Sequence, residues 1–377
     1  MKSPDLSDAA LADVTGQIAA TAAEYDRTGE FPWKGVEAAH EAGLLTATVG
    51  TRYGGPAVRP RQAARILTAI GEGDASVGLL AANLLNTHAA QADRPTWPAA
   101  YYEDLLRRSE TGPALANAIR AEPELGAPAR GGLPRTTITR TREGWILDGR
   151  KAYATGGAGL AYHVVWAVTD DGEQVGHVIV PGDRKGITWI DTWDHLGLRA
   201  SNTHDVVYDG VEVPADAFVE IPRGPDGVYR DPAAAAGPGS FGHPALYIGV
   251  ARAARAAFAE FARTRVPSAL GRPIATTERI QTAAGEIDLQ ITQAETLLHG
   301  ALLRLEAGEK PDLSLVKAAI ARSVIAATQT AVAVLGNPGL SRHNPLERHL
   351  RDALCIRVHP PQEDTALIAA GRRTLAV

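Results

Sequence analysis

The feature that most constrains this 377-residue chain is a double change of hydrophobic period. From "SDAALADVTGQIAATAAEYDRTG" through "RQAARILTAIGEGDASVGLLAANLLNTHAAQAD", small apolar residues recur at helical spacing, with Ser7 placed as a cap. From about Pro113 to Pro222 the pattern turns to alternation and β-branched runs such as "RTTITRTREGWILDGRKAYAT" and "YHVVWAVTDDGEQVGHVIVPG", with turn signals at Asp170-Asp171-Gly172 and Asp209-Gly210. After "IPRGPDGVYRDPAAAAGPGSFG" the helical period returns in long amphipathic segments of bundle type. A chain with this order is expected to fold as α+β: a helical unit over 1–112, a compact antiparallel β unit over 113–222 and a helical bundle over 223–377.

Composition narrows the function. Hydrophobic residues at 45% and charged residues at 21% are ordinary for a globular protein, and a net charge of -5 with scattered arginines argues against a nucleic-acid partner. The first residues, "MKSPDLSDAALADV", have no basic flank followed by an apolar run, and no stretch reads as an uncharged membrane span, so a cytoplasmic location and no membrane partner are expected. One cysteine, Cys355, excludes an internal disulfide and any cysteine-based metal cluster, and no metal-binding motif is present. Phosphate loops and nucleophile elbows are missing too, and the glycines of "ATGGAGLA" lie between strands, which places Gly157 in a turn. Histidines suited to work near neutrality are few; His88 closes an apolar helix and His359 precedes a Pro-Pro pair that must end a helix.

Six motifs in order give the chain a resemblance to the acyl-CoA dehydrogenase superfamily over nearly its whole length. They are "YGGP" followed by a helix ending in "DAS", "EPELG", "GRKAYATGG", "LGLRASNTHDVVYDGVEVP", "LGRPIATTERIQ" and "NPLERHLRDA". The resemblance implies a helical N-terminal domain, a β-barrel or sandwich middle domain, a C-terminal four-helix bundle, an FAD cofactor and a homotetramer. Carried over by motif, Glu122 and Gly126 would belong to the flavin loop, Tyr153 would cover the flavin ring, Thr155 would stand near its N5 edge, and Gln281 would reach the FAD of a neighbouring subunit. Ala121 and Ala127-Pro128 depart from the family's loop, and Pro267 with extra residues leaves open whether Arg263 or Arg265 meets the pyrophosphate, which makes FMN an alternative cofactor.

The catalytic glutamate of the family is the sharpest departure. Counted without gaps from Arg351, its position is Pro360; a shift of three would make Glu363 the base, at the cost of the later Gly371-Arg372 match. On the first bundle helix, where a minority of relatives hold the base, the ionisable residue is His243. The superfamily's two-component flavin monooxygenases, similar to dibenzothiophene monooxygenase and the amino-sugar N-oxygenases, lack the glutamate, take reduced flavin from a partner reductase and form a C4a-hydroperoxyflavin. The resemblance to them implies that His88, Thr155 and His359 surround the flavin edge, acting on a small organic substrate. Two other readings stand beside it: an acyl thioester dehydrogenase with Glu363 as base, and a catalytically decayed partner subunit.

Overall fold

A computed structural model describes residues 1–124, 133–224, 229 and 242–376. Five helices open the chain: α1 (Asp8–Thr28), α2 (Trp33–Glu41), α3 (Pro60–Gly73), α4 (Ala75–Asp93) and α5 (Ala99–Arg108). Their ends follow local chemistry. The Ser7 hydroxyl accepts from the Ala10 N–H ahead of α1, Gly29 closes that helix with φ +73°, and the Asp74 carboxylate accepts from the N–H groups of Ser76 and Val77 at the start of α4. Helix α4 is apolar nearly all round and is buried accordingly.

The strands are β1 (Leu115–Ile119), β2 (Thr137–Arg140), β3 (Gly144–Ala154), β4 (Leu160–Thr169), β5 (Val175–Pro181), β6 (Ile187–Ile190), β7 (His204–Pro214) and β8 (Phe218–Glu220). They form one sheet in the order β6-β7-β3-β2-β4-β5-β8, with β1 beside β4. The expectation of a purely antiparallel unit is corrected here: β1 and β2 both pair with β4 in parallel, so the sheet is mixed. Alternation in the sequence reports burial on one face and is silent about strand direction. A parallel pair needs a long connection, which the β2–β3 hairpin supplies between β1 and β4.

The last part comprises α6 (Gly242–Thr264), α7 (Glu278–Glu306), α8 (Leu313–Leu335), the short α9 (Asn337–Leu340), α10 (Leu346–Leu354) and α11 (Glu363–Leu375). The two helical parts share one core through α3 and α6. A Cβ at Gly249 would lie 2.1 Å from the Thr68 carbonyl and one at Gly71 would lie 2.2 Å from that of Leu246, so glycine is what lets the two backbones touch. Helix α8 is long and apolar enough to cross a membrane, but it carries Lys317 and Arg322 and more than half of it is buried in the bundle.

Candidate active site

Strand β3 breaks its ladder with β7 between Lys151 and Ala154, and Tyr153, at the break, has φ +56°. Left-handed backbone is costly for a bulky aromatic residue. Its result is a Tyr153 ring that stays 60% exposed on a β strand, edge-on to His195, which stacks on Trp193 with ring centroids 3.6 Å apart. Two residues on, Thr155 is buried; its carbonyl accepts from Asn117 Nδ2 at 3.0 Å and its hydroxyl accepts from Thr203 at 3.0 Å, with Ser201 continuing the chain of hydroxyls. Gly156 and Gly157, both at positive φ, make the turn after it, as the sequence predicts for Gly157.

Glu122 is buried at the foot of the same strand and its carboxylate is fully engaged. It accepts from Lys151 Nζ at 2.7 Å, from the N–H groups of Arg135 and Thr136 at 2.8 and 3.0 Å, and from the Thr136 hydroxyl at 2.7 Å. Burial raises its pKa, but the Lys151 charge and these donors outweigh burial and hold it below the ordinary carboxylate value. Glu122 therefore shapes its loop from within. Gly126 lies outside the described residues.

His88 is fully buried in α4. Its Nδ1 is 3.0 Å from the Tyr102 hydroxyl, its Nε2 has no partner, and burial pushes its pKa down to about 3. His359 lies elsewhere, in the turn between α10 and α11. Its Nε2 is 2.7 Å from the hydroxyl of Tyr247 on α6, and its ring stacks on His243 at 4.6 Å with a 15° interplanar angle. The ammonium of Lys317, on α8, donates to the carbonyls of His359 and Pro361 at 2.8 and 3.1 Å. Both histidines keep some exposed surface, yet packing drives their pKa values down, His243 to about 4, and the charges of Lys317 and, for His243, Arg120 push the same way. No carboxylate among the described residues hydrogen-bonds Tyr247, His243, His359 or Lys317.

His88, Thr155 and His359 thus keep separate hydrogen-bond partners, and no direct contact joins them. What relates them is α4, which carries His88 and packs on both β1, the strand that Asn117 ties to Thr155, and α6, the helix of Tyr247. Glu363 opens α11 and is held by Arg322, whose Nε and Nη2 lie 2.8 and 2.5 Å from one carboxylate oxygen. Arg322 in turn lines an open groove of about 450 Å³ formed by α7, α8 and α11. Gln281 is exposed near the start of α7, its amide bonded to the Ala275 carbonyl. A second, largely apolar cavity of about 320 Å³ lies between α3 and α4, lined by Leu67, Leu85, Asn86 and Ala89 and ending at Gly242, the residue before His243.

Tyr247 and Lys317 were not singled out by the sequence. Lys317 had a signal: Lys317, Ile320, Ala321 and Val324 fall on one helical stripe, so a lysine sits where the pattern demands an apolar residue. Tyr247 had none, since an aromatic residue on a buried face is ordinary core.

The residues of this region suit a flavin. Its ring needs an aromatic face and hydrogen-bonding groups along a polar edge, and this chain offers the exposed Tyr153 ring, the Thr155 hydroxyl and the unpartnered Nε2 of buried His88. No group of three or more metal-ligating side chains occurs among the described residues.

Comparison with known proteins agrees. The acyl-CoA dehydrogenase N-terminal, middle and C-terminal domain models match residues 5–92, 118–211 and 241–361. A putative acyl-CoA dehydrogenase, YdbM of Bacillus subtilis, is 28% identical over 360 residues, covering 94% of this chain and 92% of that one. The L-evernosamine nitrososynthase of a Micromonospora strain is 35% identical over 257 residues, 65% of this chain and 58% of that protein. The butyryl-CoA dehydrogenase structure from Megasphaera elsdenii superposes with a TM-score of 0.83 at 23% identity, covering 100% and 99% of the two chains. The chain belongs to the acyl-CoA dehydrogenase superfamily of FAD-binding, flavin-dependent oxidoreductases.

Proposed function

We propose that this protein is a reduced-flavin-dependent monooxygenase that acts on a small, largely apolar organic substrate. The observation that carries the reading is the Tyr247–His359–His243 cluster, which has imidazole, phenol and ammonium groups where acyl-CoA dehydrogenation needs a carboxylate. Removing a carbon-bound proton takes an ionised base of useful strength. Imidazoles held neutral with pKa values this far below 6.5 are weak bases, and Glu363 is drawn off by Arg322. Neutral imidazole and phenol are, in contrast, good hydrogen-bond donors.

Bound in its reduced form, flavin supplies the two electrons for splitting dioxygen between substrate and water. The chain supplies the rest. Tyr153 would cover the ring, Thr155 and His88 would hold its polar edge, and His359 with Tyr247 would offer hydrogen-bond donors and a route for protons. Arg263 is paired with Glu260 while Arg265 is exposed and makes no ion pair among the described residues, which favours Arg265 for the pyrophosphate if the cofactor is FAD instead of FMN. The cavity ending at Gly242 would take the substrate's apolar body beside the histidine pair. Exposed Gln281 suits a reach into a neighbouring subunit, as in a homotetramer, and a separate reductase would deliver the reduced flavin in the cytoplasm.

The experiment is a pair of mixing measurements. FAD-loaded protein mixed anaerobically with butyryl-CoA is expected to keep its oxidised spectrum. Protein loaded with reduced FAD and mixed with oxygenated buffer is expected to reoxidise through a slow phase that His359→Ala accelerates about a hundredfold, the usual contribution of one acid–base group. Bleaching by butyryl-CoA with single-phase, rapid reoxidation would return the protein to the dehydrogenases.

A further inference from the structure

Lys317 is 5% exposed within an apolar helix. A buried ammonium is costly unless it is paired and hydrogen-bonded. The chain's other buried lysine, Lys151, meets that cost with the Glu122 carboxylate at 2.7 Å. Lys317 has two neutral carbonyl oxygens instead, those of His359 and Pro361, while the nearby Glu363 carboxylate is held by Arg322. These carbonyls belong to a turn that cannot tie itself: Pro360 and Pro361 have no N–H to donate. An external donor is the means left to fix this backbone, and an ammonium, with three N–H groups, can hold both carbonyls at once.

We infer that Lys317 is a positioning residue: its ammonium clamps the His359–Pro361 backbone so that Tyr247 and His243 can fix the His359 ring in one orientation. The inference rests on the reading of His359 as a group at the reaction centre. The clamp acts on the main chain, through the carbonyl oxygens, while Tyr247 acts on the ring, through Nε2. Around the cluster stand His243 from α6, the cationic Arg120 after β1, and Glu363 from α11, which is paired to Arg322 of α8 itself and also attracts the ammonium by charge.

Two readouts test it, one free of cofactor. Hydrogen exchange followed by mass spectrometry on the flavin-free protein is expected to rise roughly tenfold or more across residues 355–366 in Lys317→Met, as loss of a charge-assisted hydrogen bond would give, and to fall back in Lys317→Arg. With reduced FAD and oxygenated buffer, Lys317→Met should change the reoxidation rate in the same sense as His359→Ala, and the double variant should match His359→Ala alone. Lys317→Gln keeps two N–H donors without charge and is expected to be intermediate, which preserves the test if the methionine variant does not fold. Unchanged exchange would overturn the clamp. Raised exchange with reoxidation unaltered, or additive effects in the double variant, would leave Lys317 a packing residue and overturn its positioning role. If His359→Ala itself leaves reoxidation unaltered, the functional reading fails and takes this inference with it, whereas the exchange result still reports on the clamp.

Discussion

Two clusters of buried polar groups occupy opposite ends of the stretch 351–361 and are built from opposite chemistry. At one end Arg351 donates to both carboxylate oxygens of Asp26 on α1 at 2.9 and 2.6 Å, to Glu347, and to the Leu196 carbonyl of the loop before β7, while Asp352 accepts from the Leu198 N–H at 2.7 Å. At the other end His359, His243, Tyr247 and Lys317 hydrogen-bond to no carboxylate among the described residues. Acidic side chains are therefore available in this neighbourhood and are committed to joining three segments of the chain. The contrast separates a joint, where charges neutralise one another, from a pocket, where uncharged donors are kept ready.

Breaking the joint should have the largest effect on stability. Arg351→Ala would leave Asp26 and Glu347 half-buried without their cation, a loss between the roughly 1 kcal/mol of exposed pairs and the about 3–5 kcal/mol of fully buried ones. Chemical denaturation should report that loss as a lower midpoint, against a shift of about 1 kcal/mol for His359→Ala, whose single neutral hydrogen bond is worth no more than that. Equal losses for the two variants would erase the distinction between joint and pocket.

The two kinds of buried group also make opposing contributions to the pH dependence of stability. Burial raises Asp352 from 3.8 to about 7 and Asp74 to about 6, against the pull of Arg348 and of backbone N–H donors. A carboxyl with a raised folded pKa contributes stability that is complete below its unfolded value and lost as pH rises through the folded one. Taken alone, these two carboxyls stabilise the protein by roughly 1 kcal/mol as the pH falls from 8 to 6.5. The histidines oppose and outweigh them, because His88, His163, His243, His349 and His359 are all held neutral in the fold and gain protons on unfolding as the pH falls through 6.5, each removing roughly 0.4 kcal/mol of stability between pH 8 and 6.5 and more below it. Thermal unfolding should therefore show a midpoint that falls as the pH is lowered from 8, most steeply below 6.5. Asp352→Asn, which keeps an acceptor for the Leu198 N–H, should remove the opposing contribution and steepen the fall between pH 8 and 4.

The joint was more legible in the sequence than the pocket. "LERHLRDA" reads as an amphipathic helix with acid and base one turn apart, and the family resemblance places it, so the Glu347–Arg351 pair follows from spacing. Its reach to Asp26, 325 residues away, does not, since ion-pair partners across a fold leave no local period. In the pocket His359 stood out through the proline pair after it, but its partners come from α6 and α8, where Tyr247 and His243 look like ordinary helix-start residues. Strand direction was hidden for a related reason: alternation records which face is buried and cannot say that β1 and β2 run parallel to β4. Glu122 matched its motif, yet the motif gave no hint that Lys151, two positions before Tyr153, would take up its charge.

The smallest expected effect lies just past the second cluster, at Glu363, and it sharpens the comparison most cheaply. Its carboxylate meets Arg322 at the edge of the groove shared by α7, α8 and α11, with the arginine side chain 64% exposed, and exposed pairs of this kind are worth about 0.5 kcal/mol. Glu363→Gln should therefore move the denaturation midpoint slightly and leave the slow phase of flavin reoxidation as it is. A dehydrogenase with Glu363 as base predicts otherwise: butyryl-CoA would bleach the flavin of the parent protein and fail to bleach that of the variant. In that case the Arg322 pair would have to open on substrate binding, and the pocket would acquire the carboxylate whose absence distinguishes it from the joint.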